Sequence, residues 1–220
     1  MNQDIEINVP LVWGCGLVYQ EQTFVDTIRT ALSTIETGTF RYLEVGVLKG
    51  GTMRAVAEVL AQFPSLTWQV IGLDLPSDPN KLGGRAPALF GQQFKGELRD
   101  EYNPDAAGVF LVFKSLKEFA SRLLRDTPVH LCFIDGCHCF HCVTSDFLQI
   151  ENSIAPGGCV IFHDASPLWQ EKDKPSNHGQ GVRVRDALSG LGLLGGTRPK
   201  WKLLYDLTQL THGPSIFQKV

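Results

Sequence analysis

No apolar run in the 220 residues approaches the roughly 18 needed to cross a bilayer; stretches such as Leu11–Tyr19 and Val109–Phe113 fall well short. A membrane-spanning helix is therefore not expected. Basic runs are missing too: 20 Lys and Arg against 23 Asp and Glu leave a formal net charge of -3. Without a basic stripe to track phosphates, nucleic acid is set aside as the main partner. The positively charged start of a signal peptide is also lacking. Arg29 is the first basic residue, and Asp4 and Glu6 precede the apolar patch, so the expected compartment is the cytoplasm. There is no internal repeat and no low-complexity tract. The six cysteines are too unevenly spread for a staple framework: Cys132, Cys137, Cys139 and Cys142 crowd one short segment. A chain this long builds a core without disulfides, which favours free thiols.

What is present is an ordinary globular composition, 43% hydrophobic and 20% charged, fitting one large domain with appendages. Phe24, Ile28, Leu32 and Ile35 recur at helical spacing and predict a lead-in helix before Thr37-Gly38. Apolar runs at Phe40–Val45, Trp68–Leu73, Val109–Phe113, Val129–Ile134 and Cys159–Phe162 predict five strands. Helical faces fall between most of them: Met53, Val56, Ala57 and Leu60; Leu116, Phe119, Ala120 and Leu123; Phe140, Val143, Phe147 and Ile150. Strand–helix alternation requires crossover connections, hence an α/β fold with a parallel sheet covered on both faces. A further helix is expected over Val182–Leu191, then an antiparallel closing pair, Trp201–Tyr205 with Ser215–Val220. The expected division is a lead-in or cap segment over 1–38 and a main domain over 39–220. Two long segments, Leu75–Gly108 and Ala165–Gly181, leave the carboxyl ends of strands, where open α/β sheets bind ligands, and are candidate lids or plain surface insertions.

Between the first strand and its helix runs Glu44-Val-Gly46-Val-Leu-Lys-Gly50-Gly51-Thr52. Glycines let a ligand approach the backbone, and a new helix offers unpaired N–H groups to an anion. The spacing is not G-x-G-x-x-G, and a pyrophosphate would meet the Glu44 carboxylate, whereas a zwitterionic amino acid would put its ammonium there. Asp74, closing the second strand, is placed to accept hydrogen bonds from a ribose. An amino acid joined to an adenosyl group is S-adenosylmethionine.

The ordered set E-V-G-x-x-x-G-G-T, I-G-L-D, F-I-D-G-x-H and A-P-G-G-C-V-I-F-H-D resembles a class I S-adenosylmethionine-dependent methyltransferase, from about Tyr42 onward. Within that superfamily, I-D-G-x-H with H-D is similar to the branch of small-molecule O-methyltransferases that holds macrolide-sugar enzymes and a cephalosporin-hydroxylase relative. The resemblance implies a Rossmann-like, doubly wound seven-stranded sheet, mostly parallel with the last strand antiparallel. It puts Gly46, Gly50, Gly51 and Thr52 around the methionine end and Asp74 on the ribose; Glu44 and Asp135 complete the candidate cofactor-binding set. Ser115 matches a position near the adenine, although its capping-box spacing to Glu118 explains it equally well.

Asp135 and Asp164 end adjacent strands, so both carboxylates project into one crevice and repel if bare. A divalent cation such as Mg²⁺ removes that penalty, and the resemblance assigns the metal to Asp135, His163 and Asp164. His163 departs from the family, where this position is often acidic; its imidazole suits a softer transition metal, or no metal. His138 matches the family's candidate general base, with Asp135 beside it, and the alternative is a helix-capping or packing role. Cys137-His138-Cys139-Phe140-His141-Cys142 lacks the paired C-x-x-C knuckles of a structural zinc site, and the cysteines read as local substitutions on the turn. Asp146 reads as helix surface or packing, and His178 as a solvated loop residue. Trp13, Tyr19, Phe90 and Trp169 either line a pocket or pack in the core. The expected activity is methyl transfer to a hydroxyl of a small-molecule metabolite, a sugar or phenol. The alternative is an accessory protein that holds S-adenosylmethionine or S-adenosylhomocysteine without transferring anything. Whether the chain forms a homo-oligomer has no signature in the sequence.

Overall fold

A computed structural model describes residues 21–35, 38–47, 50–74, 102, 107–112, 115–123, 127–169, 182–210 and 212–220. Most of the two anticipated lid segments lies outside them, as do Trp13, Tyr19, Phe90, His178 and the side chain of Trp169. The elements run α1 (Glu21–Leu32), β1 (Thr39–Val45), α2 (Gly51–Leu60), β2 (Thr67–Leu73), β3 (Gly108–Val112), α3 (Leu116–Leu123), β4 (Val129–Ile134), α4 (Phe140–Ile150), β5 (Ile154–Phe162), α5 (Val184–Gly190), β6 (Trp201–Asp206) and β7 (Ser215–Lys219). They form one seven-stranded sheet in the order β3-β2-β1-β4-β5-β7-β6. The pairs among β1 to β5 are parallel, and β7 runs antiparallel to both β5 and β6. The expected closing pair therefore forms, with β7 inserted inside and β6 at the edge.

Strand residues alternate between two apolar layers, as the two-residue period requires. Phe40 and Tyr42 of β1 pack with Phe24 and Ile28 of α1 and with Met53, Val56 and Ala57 of α2. Leu43 and Val45 face the opposite layer, with Phe119 of α3, Val143, Phe147 and Ile150 of α4, and Leu188 of α5. Strands buried on both faces have few polar positions, which is why they read as continuous apolar runs. The fifth strand differs from expectation: it begins at Ile154, not Cys159. Val129 pairs with Ile154 and Leu131 with Cys159, so Pro156, Gly157 and Gly158 fall in a bulge that an apolar-run criterion skips.

Two turns meet at the carboxyl edge of the sheet. Gly46 has φ 88°, and a Cβ there would stand 2.4 Å from the Asp135 carbonyl oxygen and 2.5 Å from Gly136 Cα. Only glycine lets the β1 and β4 turns touch. Gly196 also has a positive φ, 64°, but a Cβ there would meet nothing within 4 Å. Gly46→Ala is expected to cost about 3 kcal/mol, strain plus clash, against about 1 kcal/mol for Gly196→Ala. Urea unfolding midpoints check the ranking, and equal costs would remove the turn-to-turn contact as the cause.

Candidate active site

The parallel ladders set the site. Backbone bonds from Gly46 N to Leu73 O (2.9 Å), Asp135 N to Val45 O (2.9 Å) and His163 N to Ile134 O (3.1 Å) carry the pairing one residue beyond each strand. Glu44, Asp74, Asp135 and the His163-Asp164 pair therefore stand along one edge, on the neighbouring strands β2, β1, β4 and β5.

The glycine turn has the conformations its sequence requires. Gly50 is the N-cap of α2 in the left-handed region, φ 74° and ψ 15°, and Gly51 and Thr52 are buried in the first turn of the helix. Asp74 Oδ2 accepts a hydrogen bond from Val47 N–H (2.9 Å), tying β2's end to the turn. Glu44 is only 2% exposed, and Tyr42 Oη donates to its Oε2 at 2.6 Å. Burial pushes the Glu44 carboxyl well above its ordinary range; Asp135 and Asp74 add to this, while the tyrosine bond and His163 oppose it. A ligand ammonium there would favour the charged form. Ser115 forms the capping box: its Oγ pairs with Glu118 Oε2 (3.0 Å), and its own N–H donates to the same oxygen (3.1 Å).

Past β4, Asp135 Oδ1 stands 3.0 Å from His138 Nε2 and 3.0 Å from His163 Nδ1. His163 Nδ1 is also 3.2 Å from Asp164 Oδ1, and His138 Nε2 is 3.5 Å from Asp164 Oδ2. The sequence reading missed a fifth member: His212 Nδ1 lies 2.8 Å from Asp164 Oδ1, and its ring stacks on His163 with centroids 6.3 Å apart. His212 comes from the β6–β7 connection, and no local motif marks it. Asp164 takes φ 54°, rare for a non-glycine residue. The next residues hold it there: Ala165 N–H donates to Gly213 O (3.0 Å), and Ser166 Oγ to Thr208 O (3.0 Å). On the other side, Arg183 N–H donates to His138 O (2.8 Å) and fixes the turn from the start of α5.

Burial alone would push the His163 pKa down, but its contacts with Asp135 and Asp164 win and raise it to about 10. For the aspartates burial works the other way and also loses. The histidines hold Asp135 below its ordinary range and bring Asp164 to about 2. Despite these short contacts, neither ring nitrogen of His163 has an aligned hydrogen bond. A buried imidazole nitrogen facing two carboxylate oxygens off-axis fits a shared cation. Adjacent ligands of an octahedral ion bound at about 2.1 Å stand about 3 Å apart, the spacing seen here. Asp135, His138, His163 and Asp164 offer ligand atoms all within 4.8 Å of one another.

Residues 43–165, more than half of the chain, match the family described as a methyltransferase domain, and the chain belongs to that family. It is a class I S-adenosylmethionine-dependent methyltransferase. Similar folds include an O-methyltransferase from Bacillus cereus in complex with S-adenosylhomocysteine: 16% identity, TM-score 0.57, 97% of this chain and 85% of that one. Another is the O-methyltransferase TomG from Streptomyces achromogenes, involved in tomaymycin synthesis, in complex with S-adenosylmethionine: 17% identity, TM-score 0.57, 90% and 79%. A third is CalS11, a TDP-rhamnose 3'-O-methyltransferase of calicheamicin biosynthesis: 16% identity, TM-score 0.55, 89% and 76%. No curated protein matches the chain by sequence. Among the described residues, no helix is long and apolar enough to cross a membrane.

The raised pKa of His163 fixes a sign. In chelator-treated protein its contribution is complete below the ordinary histidine value of 6.5 and fades as pH rises through about 10. The gap in urea midpoint between wild type and His163→Gln is thus expected to be widest near pH 6 and to narrow toward pH 10. A gap that widens with pH would contradict the ion-pair assignment.

Proposed function

We propose that the enzyme transfers the methyl group of S-adenosylmethionine to a hydroxyl of a small-molecule metabolite, a sugar or a phenol. The observation that carries this reading is the Asp135–His138 pair, 3.0 Å apart, at the end of β4 and beside the glycine turn, where Gly46 packs on the Asp135 backbone. Gly46, Gly50, Gly51 and Thr52 receive the methionine end, with Glu44 toward its ammonium and Asp74 toward the ribose; Ser115 lies toward the adenine. Similarity of fold to a TDP-rhamnose 3'-O-methyltransferase agrees with a sugar hydroxyl as acceptor.

Methyl transfer needs the acceptor oxygen in line with the methyl carbon and the departing sulfur. The O–C bond forms as the C–S bond breaks, and S-adenosylhomocysteine leaves with the sulfur's electron pair. With His138 Nε2–H donating to Asp135, the imidazole lone pair sits on Nδ1, which takes the hydroxyl proton. Asp135 fixes that tautomer and steadies the imidazolium that results. Asp135, His163 and Asp164 are the residues that would hold a divalent cation. Bound there, such an ion lowers the pKa of an acceptor hydroxyl and fixes its direction. Nitrogen in the donor set favours a transition metal over Mg²⁺.

Isothermal titration with S-adenosylhomocysteine is expected to show binding in wild type and at least a tenfold loss in Asp74→Ala. His138→Ala is expected to keep that binding and to lose roughly 10²- to 10⁴-fold in kcat across a panel of hydroxylated metabolites. Full turnover in His138→Ala would remove the base assignment. Chelation is expected to lower turnover and added divalent cation to restore it; a rate indifferent to chelator would remove the ion.

A further inference from the structure

The segment between Asp135 and α4 carries a second cluster of chemistry that methyl transfer does not use. The Sγ atoms of Cys137, Cys139 and Cys142 lie within 4.8 Å of one another. Sequence spacing pairs Cys139 with Cys142 as C-x-x-C, and the fold brings the Cys137 sulfur into the same cluster. The remaining described cysteines, Cys132 and Cys159, are buried within β4 and β5 and behave as small apolar side chains. Cys137 and Cys142, by contrast, are partly exposed, so an ion can reach the cluster from solvent.

We propose that Cys137, Cys139 and Cys142 form a three-thiolate site for a soft metal ion of the Zn²⁺ type, separate from the Asp135–His163–Asp164 centre. Thiolates bound to tetrahedral zinc at about 2.3 Å stand about 3.8 Å apart, so sulfurs already within 4.8 Å need only a small contraction. The backbone is prepared for the charge. Cys139 is the N-cap of α4, and its Sγ accepts the Cys142 N–H at 3.4 Å, at the positive end of an 11-residue helix. Such N–H···S bonds are the outer-shell support that thiolate sites require. Each bound thiol releases its proton to solvent on metal entry, and no oxidant or reductant is involved. Three protein ligands leave a fourth position for water. Oxygen and imidazole ligands in one cluster and sulfur in the other sort two kinds of ion by softness. Cys137 and Cys139 flank His138, so the ion would pin the turn that carries this histidine.

Cd²⁺ titrated into fully reduced protein tests the site through the ultraviolet thiolate-to-cadmium absorption, which carboxylate and imidazole ligands do not give. One equivalent is expected to saturate the band, and Zn²⁺ to displace Cd²⁺ and abolish it. The band is expected to persist in His163→Gln, to need at least tenfold more Cd²⁺ in Cys142→Ser, and to vanish in the triple serine variant. S-adenosylhomocysteine binding verifies that the variants are folded, and if the triple variant fails, the wild-type and Cys142→Ser titrations decide. Absence of the band in wild type, or an unchanged titration in Cys142→Ser, overturns the proposal. So does a Cys139–Cys142 disulfide that re-forms in air with Zn²⁺ present, because the pair would then be a redox couple.

Discussion

Four carboxyl groups, Glu44, Asp74, Asp135 and Asp164, crowd one edge of the sheet, and much of the surrounding architecture answers their repulsion. Each answer differs. Asp74 accepts a backbone N–H, Glu44 is buried against a tyrosine hydroxyl, and Asp135 and Asp164 share histidines. Unit charges 4 Å apart interact by about 4 kcal/mol at an intermediate dielectric, enough to cancel much of a domain's stability if left uncompensated. The edge is thus poised for ligands that bring positive charge, whether an ammonium, a sulfonium or a metal ion.

That poise depends on backbone contact between two turns. Because Gly46 lies against the Asp135–Gly136 peptide, the glycine turn of β1 and the acid–histidine turn of β4 form a single wall. Behind it, α1 and α2 cover one face of the sheet and α3, α4 and α5 the other, so the wall rests on strands that cannot shift independently.

The five parallel strands were legible because burial on both faces makes them apolar runs, and the ends of β1, β2, β4 and β5 then pointed to Glu44, Asp74, Asp135 and Asp164. Legibility failed where structure is not local. The start of β5 at Ile154 escapes an apolar-run reading because the Pro156-Gly157-Gly158 bulge has no apolar signature. The run from Cys137 to Cys142 is visible in the sequence, but the convergence of its three sulfurs is not. His212 depends on β7 entering between β5 and β6, which pairing alone decides. The Tyr42–Glu44 bond was within reach, since residues two apart on a strand share a face.

The insertion of β7 also orders events during synthesis. A ribosome delivers β1 to β5, with Asp135, His163 and Asp164, well before the β6–β7 hairpin exists. Until that hairpin emerges, β5 is an unprotected edge, and Asp164 lacks both the Gly213 carbonyl that anchors its neighbour and the imidazole of His212. Adding the last strand therefore closes an edge open to foreign chains and completes the acid–histidine centre in the same step.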